Sequence, residues 1–382
     1  MKYKLLKDVC NINMGQSPDS NSYNENGYGV PFFQGNADFG ERYPIVKKWC
    51  NAPTKMAASE DILISVRAPI GAVNYAKEDC CIGRGLAAIT PDKTKVSPEF
   101  IFWLLKGKKD ELNDKGTGST FKAIGRTVLE EILIPDIEIE KQIESAAILE
   151  KMYSVMQAKH QEISKLDDLV KARFVELFGD PISNSFGLNT KPMTDICEII
   201  DGDRGKNYPT IDDFSDDGYC LFLNAKNVTS DGFNFENCMY ITKERDEALR
   251  KGRLKRGDVV LTTRGTIGNL AFYTNEIPFE HVRINSGMVI LRMKQEVADE
   301  VYFIEHFKMQ LADIKAKIAS GSAQPQLPIS TMNKIQILIP EIEQQRDFAA
   351  FVEQVDKSKA AVQKSLDKLQ ILFDSLMQEY FD

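Results

Sequence analysis

The sequence predicts an α+β protein in which two similar domains are each followed by a long helix. Three segments occur twice in the same order: residues 8–12 recur at 195–199, 61–67 at 258–264, and 132–135 at 337–340. The offset between copies rises from 187 to 197 to 205 residues, which is typical of a duplicated framework whose loops differ in length. We expect a first domain over 1–138, a helix over 139–178, a second domain over 179–340 and a second helix over 341–382.

Each copy mixes signals for strands with signals for short helices. The β-branched runs at 62–66 and 259–261 predict strands that end in glycine-containing turns. A second pair of strands is expected at 82–89 and 284–291, with Gly83-Arg84-Gly85 as a strand bend. Helices are expected at 100–105 and 301–317.

The two long helices are predicted from mostly apolar side chains that recur every three or four residues over 139–177 and 348–380. This period is close to that of a coiled-coil seam, and Gly179-Asp180-Pro181 ends the first helix. Because the first helix leads from copy one to copy two and the second starts where copy two ends, we expect an antiparallel coiled coil. His160 and Lys359 interrupt the seams, and they either fix the register or extend to water.

The net charge of −8 belongs to the helical stretches. Residues 136–180 hold ten acidic and six basic residues, and residues 341–382 hold nine and five, so each stretch contributes −4. The remainder of the chain sums to zero, which leaves both domains able to present basic faces. Charge alone therefore neither indicates nor excludes a nucleic-acid partner.

The residue patterns of common enzymes are missing. Gly205-Lys206 lacks the upstream glycine and the following hydroxyl residue of a phosphate-binding loop, and no Asn-Pro-Pro-aromatic or Asp-Pro-Pro-aromatic tetrapeptide is present. The three histidines lack metal-ligand spacing, and the seven cysteines include no Cys-x-x-Cys pair. We expect no catalytic residue, metal or cofactor in this chain. No apolar run approaches the roughly 18 residues of a membrane span, and we expect a cytoplasmic protein without a membrane partner.

Arginine and lysine side chains supply the candidate contacts to DNA. The stretch 243–256 holds seven basic and three acidic residues, which indicates either a phosphate-neutralising face or a solvated helix end. Arg67 and Arg264 occupy the same position after a strand, where arginine can form a fork with guanine or phosphate, or pair with a carboxylate of its own domain. The loops 15–29 and 202–219 differ between copies, which indicates different specificities or ordinary surface drift. The candidate contacts are Arg67, Arg84, Lys206, Arg253, Lys255, Arg256, Arg264 and Arg283.

Five segments carry a resemblance to a known family. They are 64–71 (Ile-Ser-Val-Arg-Ala-Pro-Ile-Gly), 81–89 (Cys-Ile-Gly-Arg-Gly-Leu-Ala-Ala-Ile), 177–181 (Leu-Phe-Gly-Asp-Pro), 284–288 (Ile-Asn-Ser-Gly-Met) and 326–329 (Gln-Leu-Pro-Ile). In this order, with two domains separated by long helices, they resemble the specificity subunit of type I restriction–modification systems, commonly called HsdS. The resemblance covers essentially the whole chain.

The resemblance implies two target-recognition domains that each read one half of a bipartite double-stranded DNA target. It implies docking of two adenine-methyltransferase (modification) subunits and of ATP-driven restriction subunits, which would bind S-adenosylmethionine, ATP and Mg²⁺. Whether a restriction partner exists stays open. The helical rod would set the spacer between half-sites, which lie about 34 Å apart per DNA turn. The alternative is a coiled-coil assembly scaffold that presents two adaptor domains and binds no DNA.

Overall fold

The computed structural model of the protein describes residues 2–118, 122–319 and 326–381. The chain forms two compact units: unit 1 comprises Met1–Gln161 with Gln363–Asp382, and unit 2 comprises Glu162–Val362. Each unit therefore holds one sequence copy and part of each long helix. Within the described residues, no helix combines the length and apolar character that crossing a bilayer requires.

Unit 1 alternates strands with short helices. In chain order it contains β1 (Tyr3–Leu5), α1 (Leu6–Val9), β2 (Cys10–Met14), β3 (Tyr23–Asn24), β4 (Val30–Phe33), β5 (Trp49–Cys50), β6 (Met56–Ala57), β7 (Ile62–Ser65), β8 (Val73–Tyr75), β9 (Cys80–Ile82), β10 (Leu86–Pro91), α2 (Pro98–Gly107), α3 (Lys109–Asp114), α4 (Arg126–Glu130), β11 (Leu133–Pro135) and the first part of α5 (Ile139–Phe178). The predicted α+β class is confirmed for this copy.

Unit 2 follows the same order, with a different middle. After the end of α5 it contains β12 (Thr190–Pro192), α6 (Met193–Ile196), β13 (Cys197–Asp201), β14 (Cys220–Leu223), β15 (Val228–Thr229), β16 (Gly232–Phe233), β17 (Tyr240–Ile241), α7 (Lys243–Ala248), β18 (Asp258–Thr262), β19 (Leu270–Phe272), β20 (Val282–Ile284), β21 (Met288–Met293), α8 (Glu300–Ala319), α9 (Ile329–Met332), β22 (Gln336–Leu338) and the first part of α10 (Ile342–Phe381).

A four-stranded antiparallel sheet, which we call the frame, is common to both units. Its strand order is β2-β10-β7-β8 in unit 1 and β13-β21-β18-β19 in unit 2. Alternate residues of β7 enter different cores: Ile62 and Ile64 pack with the helices, whereas Leu63 packs on the other face. Val260 of β18 is likewise separated from its neighbours on the strand. The frame is therefore buried on both faces.

The second layer, which we call the lobe, differs between the units. In unit 1 it is a five-stranded sheet in the order β3-β5-β4-β9-β6, whereas in unit 2 it consists of β17-β14-β20 and the pair β15-β16. Both lobes keep one parallel pair, β4 with β9 and β14 with β20. The copies thus share the inner part of the lobe and diverge at its outer strands.

The single strands expected at 82–89 and 284–291 are wrong, because each range is divided between two sheets. β9 and β20 belong to the lobes, while β10 and β21 belong to the frames. Residues 83–85 and 285–287 connect the layers, and we call them the crossovers. In unit 1 the crossover passes so close to Gln34 that a Cβ on Gly85 would lie 2.4 Å from its carbonyl oxygen, which only glycine avoids.

Both predicted long helices are confirmed, as α5 and α10. Gly179 ends α5 with a φ of +76°, and its N–H donates to the carbonyl of Val175 at 2.9 Å. In unit 1, Leu149 of α5 and Phe381 of α10 lie in one apolar cluster with the frame. The start of α5 and the end of α10 thus attach to the same domain.

Within unit 2 the two helices run antiparallel. Phe178 near the end of α5 contacts Phe348 near the start of α10, with ring centroids 5.7 Å apart. Further along, Lys359 forms an ion pair with Asp167 at 2.7 Å. Burial alone would lower the pKa of Lys359, but its hydrogen bond with Asp167 and the nearby carboxylates outweigh this and raise it. The seam lysine therefore has a carboxylate partner, whereas His160 is exposed.

Candidate nucleic-acid interface

The strand-end arginines Arg67 and Arg264 occupy equivalent and exposed positions. Each follows a frame strand by two residues, where the chain meets a crossover. The N–H of Val66 donates to the carbonyl of Gly85 at 2.9 Å, and the N–H of Thr263 donates to that of Gly287 at 2.8 Å. The backbone before each arginine is thus fixed by the same bond in both units. Among the described residues, neither guanidinium has a side-chain partner.

Arg84 lies in the middle of the unit 1 crossover, beside Arg67. Its backbone N–H donates to Ser17 Oγ at 3.3 Å, and the neighbouring Gly83 N–H donates to the carbonyl of Phe33 at 2.8 Å. The side chain of Arg84 is exposed. The crossover therefore presents this arginine to solvent, and the Val66–Gly85 hydrogen bond joins the residue before Arg67 to the residue after Arg84.

Lys206 and Lys255 are also exposed, and the described part of the chain gives neither ammonium group a partner. Lys206 lies in the loop after β13. Lys255 precedes β18, and its backbone N–H donates to Asp258 Oδ2 at 2.7 Å. Both side chains are free to neutralise phosphate.

Arg283 lies inside the unit 2 lobe, and we no longer expect it to contact DNA. Only 4% of the residue is exposed, and its guanidinium pairs with the fully buried carboxylate of Asp246. It also donates to the carbonyls of Lys251 at 2.6 Å and Leu249 at 3.1 Å. Burial lowers the pKa of Arg283, and these acceptors keep the charge satisfied.

Arg253 and Arg256 are exposed in part but hold their own domain together. Arg253 forms the second ion pair of Asp246. Arg256 stacks over the ring of Tyr273 at 4.1 Å from the centroid and donates to the carbonyls of Thr274, Ile277 and Phe279 at 2.5, 3.0 and 2.9 Å. Because Arg256 donates three hydrogen bonds to backbone carbonyls, its guanidinium stabilises the loop after β19.

The basic stretch 243–256 is therefore less free than its composition indicates. Arg245 pairs with Asp213, and Arg250 lies 4.0 Å from Asp203. Lys243 pairs weakly with Glu247 at 3.9 Å. Much of the positive charge is neutralised by acidic residues of the same unit, which sequence composition could not reveal.

Sequence reasoning missed Arg204, which follows β13. Its Nη2 donates to Asp201 Oδ1 at 3.1 Å and to the Ser286 carbonyl at 3.2 Å, and half of its side chain is exposed. Arg204 and Arg264 line one cavity of about 310 Å³ together with Thr263. A comparison of the copies position by position, rather than by identical residues, would have found it.

The cysteine residues and His306 lie within the fold, buried or partly buried. No group of three or more metal-ligating side chains occurs among the described residues. Burial raises the pKa of the Cys80 and Cys197 thiols to about 12, which keeps both protonated and unreactive near neutral pH. His306 is fully buried and accepts a hydrogen bond from the Leu338 N–H at 3.0 Å.

The sequence is similar to those of known specificity subunits. The putative type I restriction enzyme MjaX specificity subunit of Methanocaldococcus jannaschii is 45% identical over 160 residues, which is 42% of this chain and 38% of that protein. The MjaIX specificity subunit of the same organism is 23% identical over 98% of this chain and 91% of its own length. The EcoBI specificity subunit of Escherichia coli is 19% identical over 98% of this chain and 84% of its own length.

Solved structures show the same fold. The S subunit of a type I restriction–modification system from M. genitalium superimposes with a TM-score of 0.60 at 15% identity, over 100% of this chain and 96% of that one. A chain from a study of the assembly and conformational transition of the type I system gives 0.59 at 16% identity, over 100% and 97%. The family model for the type I restriction modification DNA specificity domain matches residues 1–167 and again 187–370. The chain therefore belongs to the family of type I restriction modification DNA specificity domains and contains that domain twice.

Proposed function

We propose that this chain is the non-catalytic DNA-specificity subunit of a type I restriction–modification complex, in which each unit reads one half of a bipartite duplex target. The observation that carries the proposal is the equivalence of Arg67 and Arg264. Both are exposed beside a crossover, on frames with the same hydrogen bonds but different lobes. Membership of the specificity-domain family supports it.

In this proposal, equivalent basic residues position the units on the DNA, and the differing lobes recognise different base sequences. Arginine at a strand end can form two parallel hydrogen bonds with guanine or with a phosphate. Lys206 and Lys255 add phosphate contacts that position unit 2 without specifying sequence. Because the lobes differ in their outer strands, the two half-sites differ in sequence and the target is asymmetric.

Chemistry is assigned to partner subunits in this proposal. Two methyltransferase subunits dock on the chain and bring S-adenosylmethionine, and restriction subunits, where present, bring ATP and Mg²⁺. The chain itself binds none of these and acts in the cytoplasm, where its DNA lies. The two long helices set the spacer between the half-sites.

The test is co-expression of the full chain with candidate adenine-methyltransferase subunits from the same genome, followed by sequencing of methylated adenines. We expect a two-part motif with a fixed gap. Arg67→Gln should relax or abolish recognition of one half only, and Arg264→Gln that of the other. Lys191→Gln, which removes an exposed charge from β12, serves as the control. A folded complex that methylates no defined motif would favour the scaffold alternative.

A further inference from the structure

Two facing positions beside the strand-end arginine exchange their residues between the units. The frame registers pair Met14 with Ala87 and Asp201 with Val289, which fixes the equivalence of the two loops residue by residue. Ser17 of unit 1 thus corresponds to Arg204 of unit 2. In the opposite loop, Arg84 of unit 1 corresponds to Ser286 of unit 2.

The exchanged residues contact each other in both units. In unit 1 the backbone N–H of Arg84 donates to Ser17 Oγ at 3.3 Å. In unit 2 the guanidinium of Arg204 donates to the carbonyl of Ser286 at 3.2 Å. Each unit therefore holds one serine and one arginine at this meeting point, and the arginine comes from the crossover in unit 1 but from the loop after β13 in unit 2.

The loop that carries Arg204 is fixed by its neighbour Asp203. The carboxylate of Asp203 accepts the N–H groups of Gly205 and Arg250, each at 2.7 Å, and the bond from Gly205 is the main reason that its pKa is lowered. Gly202 approaches the crossover so closely that a Cβ there would lie 2.3 Å from the Asn285 carbonyl oxygen. Arg204 is thus presented from a defined backbone, as Arg84 is.

Arg204 is not required to hold the fold together. Its ion pair with Asp201 joins neighbours on one loop, at 50% and 25% side-chain exposure, and such surface pairs contribute little to stability. Asp201 and the Ser286 carbonyl both engage Nη2, which leaves Nε and Nη1 free among the described contacts. The pair instead orients the guanidinium beside the cavity that it shares with Arg264.

We propose that Arg204 is the second DNA-contacting arginine of unit 2, besides Arg264, and the counterpart of Arg84 in unit 1. Each unit then contacts its half-site with two arginines. This inference rests on the proposed function, and its ligand is a phosphate or a guanine edge of duplex DNA. Both units keep two positive charges beside the crossover, but the second one approaches from opposite loops.

The test uses the full chain in complex with its co-expressed methyltransferase and a duplex that carries the methylation-mapped target. The dissociation constant is measured over a range of salt concentrations for three variants. Arg204→Ser should raise it about tenfold. Loss of a phosphate contact also reduces the salt dependence by about one contact, whereas loss of a guanine contact relaxes the choice of base at one position of the target. The double variant Arg204→Ser/Ser286→Arg, which copies the arrangement of unit 1, should recover most of the affinity. The control Lys191→Ser should bind like the unchanged protein.

Thermal unfolding of Arg204→Ser should match that of Lys191→Ser, which separates a binding effect from a folding effect. Binding by Arg204→Ser that equals the control overturns the inference while the proposed function stands. Failure of the double variant to recover affinity overturns the equivalence with Arg84. If the unchanged complex methylates no two-part motif, the proposed function fails and this inference fails with it.

Discussion

Asp246 shows why a basic residue in a DNA-binding protein need not face DNA. Its carboxylate is fully buried and pairs with both Arg283 and Arg253. Removal of one member of a buried pair leaves the other charge without compensation, which costs far more than the pair contributes. Asp246 is therefore the residue on which the packing of the unit 2 lobe depends.

Asp246→Asn should destabilise the protein by about 3 kcal/mol or more, because the guanidinium of Arg283 stays buried without a counter-charge. The measurement is the free energy of unfolding from denaturant titration. Asp216→Asn, a change at an exposed position of the same unit, is the matched control. Equal stability of the two variants would show that the buried pair is not needed.

His306 gives the fold a specific sensitivity to acid. Desolvation lowers its pKa from 6.5 to about 3, whereas the unfolded chain binds the proton near pH 6.5. Protonation between these values therefore favours the unfolded state, so stability is complete above about pH 6.5 and falls as the pH decreases towards 3.

His306→Gln should flatten this dependence, since glutamine can accept the Leu338 N–H without titrating. We expect the slope of unfolding free energy against pH to decrease by up to about 1.4 kcal/mol per pH unit on the acid side. His281→Gln, which replaces a partly exposed ring stacked on Tyr219, is the matched control. Parallel slopes for all three proteins would contradict the assignment.

The sequence distinguishes arginines that face solvent from arginines that are paired within their own domain only in part. Arg67 and Arg264 were identifiable because they follow equivalent strands. Arg283 was not recognisable as buried, because its partner Asp246 lies 37 residues away in the chain. Arg204 was missed because its counterpart in the other copy is a serine. An ion pair between residues far apart in the chain, or an arginine that changes position between the two copies, leaves no local pattern in the sequence.

One buried glutamine attaches each long helix to its domain. Gln142 of α5 accepts the backbone N–H of Ser97 at 3.0 Å, just before α2, and donates to the carbonyl of Ile137 at 2.9 Å. Gln345 of α10 accepts the N–H of Asp299 at 3.0 Å, just before α8, and donates to the carbonyl of Pro340 at 2.9 Å. Each glutamine thus forms hydrogen bonds with the backbone just before its own helix and with the backbone just before a second helix.

Gln345→Met should cost about 2 kcal/mol, because methionine fills the same space but leaves the Asp299 N–H and the carbonyls of Val297 and Pro340 without the amide. Gln354→Met, at an exposed position of the same helix, should stay within about 0.5 kcal/mol of the unchanged protein. Both are compared by denaturant titration. If the two variants are equally stable, the glutamine is not an attachment point.

Elements were predicted well where their pattern is long or repeated. The 3.5-residue spacing gave α5 and α10 nearly to the residue, and the stop at Gly179 was confirmed. The strands at 82–89 and 284–291 were not, because Gly83-Arg84-Gly85 was interpreted as a bend within one strand, whereas residues 83–85 and 285–287 connect two different sheets. A short glycine-containing or polar interruption of an apolar run does not show whether the flanking strands belong to one sheet or to two.

For the whole molecule, the duplication predicts that the length of the gap between half-sites can be changed without changing the sequences of the half-sites. Four residues inserted in α5, with four more in α10, add about 6 Å of helix. At about 3.4 Å per base pair, the unspecified gap should lengthen by one or two base pairs while both half-sites stay the same. Methylation mapping measures both quantities in one experiment. An unchanged gap in an active complex would show that the helices do not set it.

The double burial of the frame also bears on how such a protein evolves. Leu63 and Ile64 are neighbours on β7, yet one belongs to the lobe core and the other to the core that holds the helices. The side chains that form the lobe core are therefore different residues from those that hold the helices, even within one strand. Substitutions can therefore accumulate on the lobe face of the sheet while the residues on the helix face stay the same, which lets the two faces change independently over generations.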